Sequence, residues 1–95
     1  MTHDELVAIL TEKYDYPISY VDQVANKIEE FEPIWRKAFE KFIKYGTFAD
    51  DEIHGYSIAK LIGEMELTPV AAFLTMDQIC KNPEKTIKML KRGIK

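Results

Sequence analysis

Apolar residues recur along the chain at spacings of three and four, the period of a helix with one face turned inward. Thr2 and Glu5 have the spacing of a capping box, and Leu6, Val7, Leu10 and Tyr14 follow on one stripe, which predicts a first helix over about residues 3–13. Pro17 ends it, because the residue before a proline is pushed out of the helical region. Val21, Val24, Ala25, Ile28 and Phe31 then predict a second helix, with Ser19 as its N-cap. Pro33 opens a third at the first turn, where a missing N–H costs little, and the neighbouring Glu29, Glu30 and Glu32 suit the positive end of a helix dipole. Ile34, Trp35, Ala38, Phe39, Phe42 and Tyr45 share one broad face of that helix, and Gly46 closes it.

Residues 47–56 lose the period. Three adjacent acids and a glycine make this stretch a loop, taken with Gly46 as 46–56, holding at most a short unpaired strand-like piece. Ser57 caps a fourth helix carrying Ile58, Leu61, Ile62 and Met65, and Thr68-Pro69 opens a fifth. The fifth, about 69–80, is apolar almost all round and leaves Thr75, Asp77 and Gln78 for water, the pattern of a central helix. Asn82-Pro83 opens a last helix with Ile87 and Leu90 inward and Gly93 at its end. The fold class is therefore all-α, a compact bundle of five or six short helices around the helix at 69–80, in one domain spanning 1–95.

The chain of 95 residues carries 13 Lys plus Arg against 16 Asp plus Glu, a net charge of −3, which disfavours a general nucleic-acid coat. No apolar run approaches a membrane span, and the acidic start differs from the basic lead of a secretory signal, so the expected location is cytoplasmic, with no membrane partner. A single cysteine, Cys80, fits a reducing compartment and can form neither an internal disulfide nor a cysteine metal cluster.

Groups for catalysis are sparse. His3 and His54 lie in no nucleophile, zinc or phosphate-loop pattern, and Cys80 on an apolar face is expected to be a small core residue. Asp50, Asp51, Glu52 and His54 lack the alternating spacing of a calcium loop and read as a solvated turn. No enzyme activity, cofactor or metal is expected.

The stretch from Tyr56 to Ile79 resembles a helix-turn-helix unit, with Ala59 and Gly63 four apart as in that motif and a joint lengthened by Glu64, Met65 and Glu66. The resemblance implies base or phosphate contacts from Thr68, Thr75, Asp77 and Gln78, a set without Arg or Lys. Residues 51–80 hold one Lys against five acids, a charge that repels phosphate. Segment 81–95 is the opposite: Lys81, Lys85, Lys88, Lys91, Arg92 and Lys95 face Glu84 alone. The first five form the candidate phosphate-binding set. A DNA-binding regulator using residues 57–80 and the basic segment 81–95 is the alternative function, and nucleic acid the less favoured partner.

Nine of the eleven aromatic residues lie between Tyr14 and Phe48. A bundle this small has limited interior, so exposed members of the set are candidates for protein contact. The leading expectation is a small non-enzymatic intracellular protein, a regulator, inhibitor or adaptor, which binds another protein through Trp35, Tyr45, Phe48 and Tyr56. A homodimer is the second form such an interaction could take.

Overall fold

A computed structural model describes residues 1–93; Ile94 and Lys95, part of the basic segment, lie outside the described residues. In chain order the helices are α1 (His3–Tyr14), α2 (Ile18–Glu29), α3 (Pro33–Tyr45), α4 (Ile58–Met65), α5 (Pro69–Lys81) and α6 (Pro83–Gly93). The protein is all-α. Two compact units divide it, residues 1–31 and 32–95.

In the first unit α1 packs on α2. Both halves of the α1 capping box are made: the Glu5 N–H donates to Thr2 Oγ1 at 3.2 Å and the Thr2 N–H to Glu5 Oε1 at 3.1 Å. The Thr2 N–H donated to the carboxylate, and after it the Thr2 hydroxyl, favour the charged form and lower the Glu5 pKa from its ordinary value. Leu6 and Leu10 from α1 and Val21, Val24, Ala25 and Ile28 from α2 are buried. The second helix starts at Ile18, so Ser19 is not its N-cap. Pro17 sets the boundary instead: its carbonyl accepts the N–H groups of Tyr20 and Val21, both at 2.9 Å, which places Ser19 inside the first turn.

In the second unit α5 is the hub, with α3, α4 and α6 packed against it. Thr68 accepts the Ala71 N–H and Pro69 occupies the first helical position, as Ser57 accepts the Lys60 N–H at the start of α4. Val70, Ala72, Phe73, Met76 and Ile79 are buried, and Phe39 meets Phe73 edge to face at 5.4 Å. Asp77, expected to face water, is buried instead, at 1% exposure. Its burial is tolerated because Oδ1 accepts the Glu32 N–H at 2.9 Å and Oδ2 pairs with Lys81 Nζ at 2.9 Å.

The broad apolar face of α3 divides in two. Trp35, Ala38 and Phe39 are buried, Phe42 is half-buried, and Ile34 and Tyr45 are exposed, since a helix packed on one neighbour hides a stripe of about 100°. Gly46 ends α3 at φ 71, a left-handed position that glycine takes without strain. Between α3 and α4 the chain is not wholly unpaired. Ile53 and Tyr56 exchange N–H···O bonds of 2.8 and 2.9 Å around His54 and Gly55, both at positive φ, which makes a tight turn of the hairpin type.

Candidate functional site

Ile34, Lys41 and Tyr45 form an exposed stripe of α3, with the buried Ala38 at its base, the four spaced four, three and four residues apart. Beyond Gly46 the chain turns back along this stripe, and Phe48 stacks on Phe42 with ring centroids 4.9 Å apart. That stacking anchors segment 47–51 beside α3. Between them lies a groove of about 550 Å³, with Ile34, Lys37, Ala38 and Lys41 on the helix wall and Thr47, Phe48, Ala49, Asp50 and Asp51 on the other.

The groove is amphipathic. Ile34 is 45% exposed and Phe48 42%, so the apolar lining is open to water, which costs free energy that a partner could recover. Cations line one wall and carboxylates the other. None of Lys37, Lys41, Asp50 or Asp51 makes an ion pair among the described residues.

The expected contact set is placed unevenly. Phe48 lines the groove, and Tyr45, 65% exposed, extends its helix wall by a turn. Trp35 is corrected to a core residue: it is 0% exposed, with Nε1–H donating to Cys80 Sγ at 2.8 Å, and presents no surface to a partner. Tyr56 is half-buried and engaged in the 53–56 turn, under Lys60 Nζ at 5.4 Å from its ring centroid. Ile34, Lys37 and Lys41 were not among the expected contact residues, although the 34-38-41-45 spacing carries the signal for the helix wall, and Asp50 and Asp51, read from the sequence as part of a solvated turn, form the facing wall.

The five expected phosphate ligands do not act as one set. Lys81 is committed to Asp77 and is corrected to a structural role. The other four are exposed on α6, within an arc of about 120° by helical geometry. Lys88 and Lys91 line an open cleft of about 490 Å³ with His54, Pro83, Glu84 and Ile87, whereas Lys85 and Arg92 lie outside it, towards Met89.

The helix-turn-helix features also change meaning. Glu64 and Met65 belong to α4, so the joint to α5 is three residues, 66–68, and no longer than the motif's. Its left-handed residue is Glu66 at φ 56, whereas Gly63 is helical with open space around it. The reading positions are spent: Thr68 caps α5, the Thr75 hydroxyl donates to the Ala71 carbonyl at 2.8 Å and Asp77 is buried. Of α5 only Gln78 and Lys81 are exposed.

Among the described residues no three His, Cys, Asp or Glu side chains are grouped to hold a metal ion, and no helix is long and apolar enough to cross a membrane. No protein-family model, curated protein or solved structure matches the chain.

Proposed function

We propose that this protein acts by binding another protein, without catalysis, in the groove between α3 and residues 47–51. It would serve as a small cytoplasmic regulator, inhibitor or adaptor. One observation carries the reading: Ile34 and Phe48 are open to water in a groove whose four flanking charges make no ion pair among the described residues. Exposed apolar anchors inside a polar rim are the ingredients of a protein-binding hot spot. The alternative of a DNA reader is weaker. The cations of α6 suit phosphate, but α3, α4 and α6 all pack against α5 and leave only Gln78 and Lys81 of it exposed, too few to read a major groove.

A photo-crosslinking side chain placed at Lys41, and separately at Met89 on α6, tests the reading in extract of the source cells. The expected result is a protein adduct from position 41 that disappears with Ile34→Glu, and none from position 89. Absence of any adduct at 41, or equal adducts at both positions, would overturn it.

A further inference from the structure

We infer that the groove of α3 and residues 47–51 takes a second copy of this chain, forming a two-fold dimer; the inference rests on the protein-binding reading of the same groove. Its charges argue for this occupant. Lys37 and Lys41 line the α3 wall, while Asp50 and Asp51 line the facing wall. The groove is therefore neutral overall but polarised from side to side. A partner must carry the reverse polarity across it, acid over the lysines and base over the aspartates.

This chain has that surface. In an isologous interface the same patch is used twice, so the patch must be complementary to itself after a two-fold rotation. Rotation about an axis running along the groove lays the α3 wall of each copy over the 47–51 wall of the other. Lysines then meet aspartates on both sides, and the wall bearing Ile34 meets the wall bearing Phe48. The two α3 helices run parallel. A two-fold axis across the groove would instead set lysines against lysines, an arrangement that like-charge repulsion disfavours. The four charges and the two apolar residues thus select both the partner and the orientation.

The complete chain tests this by sedimentation equilibrium with two charge-reversed variants, K37E/K41E and D50K/D51K. Wild-type protein should dimerise. Each variant alone should dimerise at least about tenfold more weakly, because its two walls then carry one sign. Mixed one to one, they should recover a dimer containing one of each, with the wild-type melting temperature confirming that both are folded. Wild-type protein that stays monomeric to about 1 mM, variants that dimerise as well as wild type, or a mixture that does not pair would each overturn the dimer. The adduct from position 41 separates the two claims: twice the chain mass supports the second copy, a different mass leaves the protein-binding reading standing and removes the dimer, and no adduct removes both.

Discussion

The Asp77 carboxylate on α5 accepts the backbone N–H of Glu32, the N-cap of α3, across 45 positions of sequence. In α1 the equivalent N–H, that of Thr2, is satisfied by Glu5, three residues along. In α3 that place is taken by Trp35, which has no acceptor, so the acid comes from a neighbouring helix.

Removing that acid should therefore be costly. Asp77→Ala leaves the Glu32 N–H without its partner and releases Lys81, and is expected to cost about 1.5–3 kcal/mol, the range for a hydrogen bond to a charged group. Asp77→Asn keeps an oxygen acceptor and should cost less. Urea denaturation of both variants checks the order; equal stability of wild type and Asp77→Ala would contradict it.

Trp35 and Ile34 are adjacent in sequence and opposite in role. Trp35→Ala should destabilise by about 3–5 kcal/mol through loss of a fully buried ring, while Ile34→Ala should leave the melting temperature nearly unchanged. Thermal unfolding followed by circular dichroism separates them.

Left-handed and helical backbone positions offer gains. Glu66 sits at φ 56 after α4, where glycine is free of side-chain strain, and Glu66→Gly should stabilise by about 0.5–1 kcal/mol. Gly63 lies inside α4 with nothing within 4 Å of an added Cβ, so Gly63→Ala should gain a similar amount, about 0.5–1 kcal/mol. Chemical denaturation measures both, and a loss of stability in either variant would contradict the backbone geometry at that position.

His3 carries a pH dependence confined to the first unit. Nε2 lies 3.0 Å from Asp22 Oδ1 and Nδ1 3.3 Å from Glu29 Oε1, and the hydrogen bond to Asp22 first, then that to Glu29, raises its pKa above the ordinary 6.5. A group with a raised folded pKa stabilises fully below its unfolded value and loses that contribution as pH rises through the folded one. The α1–α2 pair should accordingly be firmer below about pH 6.5 and loosen above it, and His3→Gln should abolish the change. Amide hydrogen exchange across α1, corrected for its intrinsic pH dependence, reads the difference.

Much of the fold was legible because its signals are local. The Thr2–Glu5 box, the Ser57 and Thr68 caps, Pro33 and Pro69 at first helical positions and the left-handed Gly46 all act within a few residues, and each marks a helix end in the structure. What was hidden depends on neighbours distant in sequence. Asp77 reads as a solvent position until Glu32 and Lys81 are placed around it. Trp35 and Tyr45 share an apolar arc on α3, and only its packing against α5 decides that the first is buried and the second exposed. The groove was half visible: its helix wall follows the α3 period, but the opposing wall exists because Phe48 folds back on Phe42.

An amide chemical-shift map of the isotope-labelled chain, recorded from about 1 mM down to about 10 µM, tests the claim that this groove is where the molecule associates. Dilution should shift resonances around Ile34, Lys37 and Lys41 and from Phe48 to Asp51, and leave those of α6 in place. Shifts that fall on α6 instead, or a spectrum that does not move with concentration, would contradict it.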